Sequence, residues 1–126
     1  MSIHVIEKQT LLGEPLSADA LHLARAIYNT YIEDDKDLYM EIHIEKIMEI
    51  LHLSHTPQSI SYIIDLLEEI NEPLGVKNFK FFGQIYPLRF VVFCTYEIKD
   101  DLVIIELSEE FLHVEEEYMI DRFLIE

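Results

Sequence analysis

The stretch LYMEIHIEKIMEILHLSHTPQSISYIIDLLEEIN, residues 38–71, switches its hydrophobic period partway along, which narrows the folds open to it. Residues 38–42 alternate apolar and polar, the period-two pattern of a half-buried strand. From Ile44 the period lengthens. Ile44, Ile47, Met48 and Leu51 fall on one helical face, and Glu45, Lys46, Glu49 and His52 fall on the other. Leu53-Ser54-His55 reads as a turn. Thr56 then suits a helix N-cap, and Pro57 suits the first helical position, where its missing N–H costs nothing. Ile60, Ile63, Ile64, Leu67 and Ile70 predict the buried stripe of this second helix, and Asn71 and Pro73 stop it. The expectation is a short strand, a helix, a tight turn and a longer helix.

The flanks extend that pattern. Gly13 and Pro15 punctuate the approach to an opening helix, with Ser17 as its N-cap and Asp19 in its first turn. Leu21, Ala24, Tyr28 and Tyr31 follow helical spacing, with Ala20, Leu23 and Ile27 beside them. The acidic run Glu33-Asp34-Asp35 opposes the helix dipole and ends the helix. Beyond the 38–71 stretch, residues 78–83 read as a Phe-rich strand broken by Tyr86-Pro87. Residues 89–98 read as the longest strand and residues 102–107 as the next. If Asp100 and Asp101 form the loop, Ile98 pairs with Val103, Tyr96 with Ile105 and Cys94 with Leu107. One face of the hairpin is then wholly apolar, and the other carries Thr95, Glu97 and Glu106. Ser108 caps a final helix that uses Phe111, Leu112, Tyr118, Met119, Phe123 and Leu124 as apolar contacts.

This order predicts an α+β fold of the winged helix-turn-helix class, mainly helical, with a β-hairpin wing and a C-terminal helix. One domain over residues 1–126 is expected, with residues 1–12 as an extended arm. The length suits a single core. There is no internal repeat, no basic-then-apolar leader at MSIHVIEKQ and no apolar run long enough to span a bilayer, so a cytoplasmic protein without membrane attachment is expected. The single cysteine, Cys94, fits a reducing compartment.

Within the winged-helix class the chain resembles the N-terminal domain of Rep-type plasmid replication initiators. Three stretches carry the resemblance: ALHLARAIYNTYI, SISYIIDLLEEINEPL and RFVVFCTYEIKDDLVIIELSEEFLHV. It implies a module that dimerises as well as touching DNA, beside a second winged helix that does much of the origin reading. The chain is too short to hold that second domain, and its counterpart of the third helix carries no Lys or Arg.

Charge bears directly on function. With 25 acidic against 9 basic residues the formal net charge is −16, which repels phosphate backbones at long range. Half the residues are nonetheless apolar, a high share for a short chain, and this points either to a well-filled core or to extra apolar surface covered by a partner. Gln58, Ser59 and Tyr62, near the start of the second helix of the pair, are the candidates for base or phosphate contact there. Residues 76–96 contain no Asp or Glu but hold Lys77, Lys80 and Arg89 interleaved with Phe79, Phe81, Phe82, Tyr86, Phe90 and Phe93, the one candidate basic patch. Asp65, Glu68, Glu69 and Glu72 form the contrasting acidic face, suited to a basic partner or to mimicry of DNA charge. His52 and His55 lie three apart without further ligands nearby, so no metal is expected. No phosphate loop, nucleophile elbow or His-Glu-x-x-His helix is present, and neither catalysis nor a cofactor is expected. The leading expectation is a non-enzymatic protein-interaction and homodimerisation module, replication-associated if the resemblance holds. A DNA-binding regulator or initiator-like protein using the wing is second, and an acidic DNA mimic is third.

Overall fold

A computed structural model describes residues 10–12 and 16–113 of the chain. In order it contains β1 (Thr10–Leu12), α1 (Ala18–Glu33), β2 (Tyr39–His43), α2 (Ile44–Ile50), α3 (Pro57–Ile70), β3 (Leu74–Phe81), β4 (Gln84–Val91), β5 (Cys94–Lys99), β6 (Leu102–Leu107) and α4 (Glu109–Leu112). The fold is α+β, with two antiparallel three-stranded sheets ordered β2-β6-β5 and β1-β3-β4. Helices and strands take nearly equal shares of the described residues, so the strand content exceeds the expectation of a mainly helical protein. The expected arm at residues 1–12 is described only over β1, and Tyr118, Met119, Phe123 and Leu124 lie outside the described residues.

The helix ends follow from local chemistry. The Ser17 side chain accepts from the Ala20 N–H and starts α1. At its far end Asp35 takes a left-handed φ of 55°, and the Lys36 N–H reaches back to the Tyr31 carbonyl. Helix α2 ends the same way. His52 sits at φ 57°, its N–H bonds to the Glu49 carbonyl, and the Leu53 N–H bonds to the Met48 carbonyl. These are the paired bonds of a Schellman motif, with His in the position that glycine usually takes. Thr56 caps α3 by accepting from the Ser59 N–H at 3.2 Å, and Pro57 follows as the first helical residue.

Burial supports the predicted face of α2, where Ile44, Ile47, Met48 and the following Leu51 are all buried. On α3 the stripe is rotated from expectation. Ser59, Ile63, Leu66, Leu67 and Ile70 are buried, Ile64 is half-buried, and Ile60 is exposed. Ser59 can go inside because its hydroxyl donates to the Ser54 carbonyl at 2.5 Å, which turns a polar side chain inward without leaving it unpaired. On α1, Ala20, Leu23, Ala24 and Ile27 are buried, while Leu21, Tyr28 and Tyr31 lie at the margin.

The β2-β6-β5 sheet packs on these helices. The β5–β6 register is the predicted one, with Cys94 opposite Leu107, Tyr96 opposite Ile105 and Ile98 opposite Val103. Asp100 takes φ 57° at the tip, and the Asp101 carbonyl accepts the Ile44 N–H, tying the tip to the start of α2.

The second sheet departs from expectation. Tyr86-Pro87 does not end a strand; it lies inside β4, which pairs along its length with β3. A proline is tolerated there because β4 is an edge strand. Phe82 at φ 48° and Gly83 at φ 77° form a two-residue loop with both residues left-handed, the arrangement that matches strand twist in a hairpin. Nor is 89–98 one strand. It divides between β4 and β5 at Val92 and Phe93, where the Phe93 carbonyl accepts from Ser108 N–H and the Cys94 N–H is taken by the Asn71 side chain.

The core gathers buried residues from the helices and both sheets, with Phe79, Phe93 and Phe111 its largest fully buried side chains. Phe93 and Phe111 meet edge to face at 4.9 Å between ring centroids. The rotated stripe on α3 makes a direct prediction. Leu66→Ala should cost about 2–5 kcal/mol, whereas Ile60→Ala should cost less than ~1 kcal/mol, measured by urea unfolding. Equal losses would refute this phase of the helix.

Candidate interaction surface

The β3–β4 hairpin has an inner face and an outer face, and one residue changes their phase. Asn78 takes φ 56° within β3, so the inward alternation Leu74, Val76 restarts as Phe79, Phe81. Facing them on β4 are Val91, Arg89 and Tyr86. The outer face pairs Gly75 with Phe90, Lys77 with Leu88 and Lys80 with Ile85, and Val92 continues it. Phe82 (74% exposed), Ile85 (63%), Leu88 (50%), Phe90 (63%) and Val92 (37%) are thus large apolar side chains open to solvent on one hairpin. Together they present on the order of 500 Å² of apolar surface, near the top of the range for the largest patch on a monomer. Lys77 and Lys80, both exposed, stand among them, and no Asp or Glu occurs between residues 76 and 96.

The sequence pointed to this segment through Lys77, Lys80, Arg89 and its aromatics, and the structure divides them. Phe79 and Phe93 are core, Phe81 and Tyr86 lie half-buried on the inner face, and Phe82 and Phe90 face outward. Arg89 does not join the two lysines. Its Nε donates to Glu110 at 2.5 Å and its guanidinium lies 4.7 Å from the Tyr86 ring centre, which fastens α4 to β4. His113, just past α4, packs edge to face on Phe81 at 4.8 Å and lies 5.8 Å from the Phe82 ring. Ile85, Leu88 and Val92 were not singled out from sequence. Reading Phe82-Gly83 as a hairpin loop would have placed Ile85 and Leu88 opposite the two lysines.

The other candidates are partly committed within the chain. Ser59 is buried in the α3 cap. The Tyr62 hydroxyl donates to Asp19 at 2.5 Å, and this bond is the first cause holding the phenol above its ordinary pKa. Gln58 is exposed at the start of α3. The acidic candidates do come together. Asp65, Glu68, Glu69 and Glu72 line one open concavity with Asn71, Pro73 and Tyr96. Glu69 is nonetheless occupied: one carboxylate oxygen accepts the Ser17 N–H at 2.7 Å and the other the Ser17 hydroxyl at 2.9 Å, stapling α1 to α3. Among the described residues no group of three or more His, Cys, Asp or Glu gathers as a metal site, and no helix is long and apolar enough to cross a membrane.

Comparison with family models, with curated proteins and with solved structures finds no match to this chain.

Cys94 faces the core at the base of the hairpin. Burial pushes its thiol up to about 11 from 9.0, with the Asn71 amide pulling weakly the other way. At about pH 8 its thiolate should be roughly a hundredfold scarcer folded than unfolded, since each pKa unit is tenfold. Alkylation by iodoacetamide should slow accordingly, and labelling at the unfolded rate would refute the inward placement. The sign for stability follows. Below pH 9 both states hold a neutral thiol and the contribution is intact. Above it the unfolded chain ionises first, so stability falls between pH 9 and about 11.

Proposed function

We propose that this protein is a non-enzymatic winged-helix module that works by protein contact, and that it self-associates through the outer face of the β3–β4 hairpin. The observation that carries the reading is the exposed apolar set Phe82, Ile85, Leu88, Phe90 and Val92 on an edge hairpin. Water contact with such a patch is unfavourable, and a stable interface removes about 800 Å² per partner. The patch with the aliphatic stems of Lys77 and Lys80 approaches that area. In support of the winged-helix reading, α1, β2, α2, α3, β5 and β6 follow one another with β2 pairing to β6 and β6 to β5. The β3–β4 hairpin is then an addition between the third helix and the first wing strand. A role in replication follows only from the resemblance to Rep-type initiators.

A second reading is nucleic-acid contact at the same face, favoured by exposed Phe82 and Phe90 beside Lys77 and Lys80. Two lysines are a small footprint against a net charge of −16, and Arg89 is spent on Glu110.

Sedimentation equilibrium separates these readings. The wild type should be dimeric at tens of micromolar, and Leu88→Asp and Phe90→Asp should each weaken association by about a hundredfold or more. Their thermal midpoints should stay near wild type, because both side chains are exposed. A monomeric wild type would remove the self-association reading. A gel shift at low salt that Lys77→Ala with Lys80→Ala abolishes would put the second reading first.

A further inference from the structure

We propose that a cavity between α2, the start of α3 and the β5–β6 tip receives an arginine side chain of a protein partner. It shares no residue with the outer face of the β3–β4 hairpin and stands whether or not that face self-associates. The cavity measures about 300 Å³, at the lower end for a small-ligand site and ample for one side chain. Its apolar part comes from Ile44, Met48, Pro57 and Ile60. Ile44 and Met48 are otherwise buried, and Ile60 is the isoleucine that the rotated stripe of α3 leaves 36% exposed. Glu45 and Asp101, both exposed, bring carboxylates to the same lining. Among the described residues neither carboxylate is taken up by an ion pair or a side-chain hydrogen bond.

The walls are fixed before any contact. The Ile44 N–H donates to the Asp101 carbonyl at 2.8 Å, which ties the tip to the first residue of α2, next to Glu45. The Thr56 hydroxyl accepts from the Ser59 N–H and the Ser59 hydroxyl donates to the Ser54 carbonyl, which sets the start of α3. Little ordering is then left for binding to impose. Charge chooses the occupant. The starts of α2 and α3 each bring roughly half a positive charge, and two carboxylates outweigh them. An anion is therefore repelled, and a purely apolar group would leave the carboxylates partly desolvated and unpaired. A cation on an apolar stem matches both parts of the lining. Arginine matches it better than lysine. Its guanidinium is weakly hydrated and carries donors along more than one edge, so it meets carboxylates on separate elements while its stem lies on Met48 and Ile60.

Nuclear magnetic resonance titration of the isotope-labelled full chain tests this, with arginine acetylated and amidated at its two ends as the probe. Salt at roughly 0.15 M screens diffuse attraction to the net charge of −16. Because His55 also lines the cavity, the titration is run at about pH 7.5, where an ordinary imidazole is mostly neutral. Amide shifts concentrated at Ile44, Met48, Ile60 and Asp101 are expected. Blocked citrulline, the uncharged isostere, should bind about tenfold more weakly. Glu45→Gln combined with Asp101→Asn should weaken blocked arginine by a similar factor, and Glu68→Gln in the other acidic concavity should not change it. An unchanged thermal midpoint in each variant shows that the fold persists. Absence of shifts, shifts spread over the whole acidic surface, equal binding of citrulline or indifference to the double variant would overturn the site. An otherwise uncharged alanine pentapeptide with arginine at its centre, blocked at both ends, should bind at least as tightly as the single residue. Loss of binding on embedding would give the cavity to a free small cation and overturn the partner named here. The double variant should leave sedimentation unchanged, so this site and the hairpin contact fail independently.

Discussion

One side chain, Asn71, clasps the base of the hairpin where the chain returns to the core sheet. Asn71, the C-cap of α3, accepts the Cys94 N–H at 2.9 Å and donates toward the Cys94 sulfur at 3.4 Å. This amide thus bridges the two ends of the segment that holds β3 and β4, just where β3 leaves α3 and β5 begins. The Cys94 N–H begins β5, and without Asn71 it would be a part-buried donor lacking its partner, which costs free energy on the order of 1–3 kcal/mol. The clasp lets the chain leave the helical core, build a second sheet and return in register for the β5–β6 ladder. Arg89 to Glu110 repeats the logic further out, joining the same hairpin to α4.

That arrangement explains why the two faces of one hairpin differ so much. The inner face completes the core with Val76, Phe79 and Val91, all buried. On the outer face Ile85, Leu88 and Phe90 stay half or more exposed. A lone two-stranded ribbon is marginal in water, so β1 on the far edge of β3 and the core beneath supply the stability. Packing among the described residues does not account for the apolar character of Ile85, Leu88 and Phe90. This is the physical ground for assigning them to contact with another segment.

The sequence made some of this legible and concealed the rest for identifiable reasons. Thr56-Pro57, the face of α2 and the Cys94–Leu107 register were readable because each is a local rule: a cap, a 3.6-residue period and an alternation across a two-residue loop. The stripe of α3 lies off the phase its hydrophobic spacing predicts because Ser59 is turned inward, where its hydroxyl bonds the Ser54 carbonyl and the Thr56 hydroxyl. Pro87 reads as a breaker, so the sequence hides the β3–β4 hairpin, and only tertiary context places that proline on an edge. Asn78 in the left-handed region hid the alternation further. β1 is three residues long and gains its pairing from β3, so nothing local announces it. The candidate cations were found, but their division was invisible, since the partner of Arg89 is 21 residues away.

Electrostatics then sets what the exposed face selects. With the net charge at −16, two copies repel before they touch, and at physiological ionic strength that repulsion is screened beyond about 8 Å. Contact between copies therefore needs the local surface to differ from the whole. The acid-free hairpin meets that need: on approach, Lys77 and Lys80 of one copy meet a surface dominated by carboxylates unless the same hairpin faces them. Hairpin against hairpin buries apolar area but sets lysines against lysines. Salt screens both that local repulsion and the net charge of each copy, so raising salt should strengthen an apolar self-contact through this face, whereas it would weaken a contact between the lysines and phosphates or carboxylates.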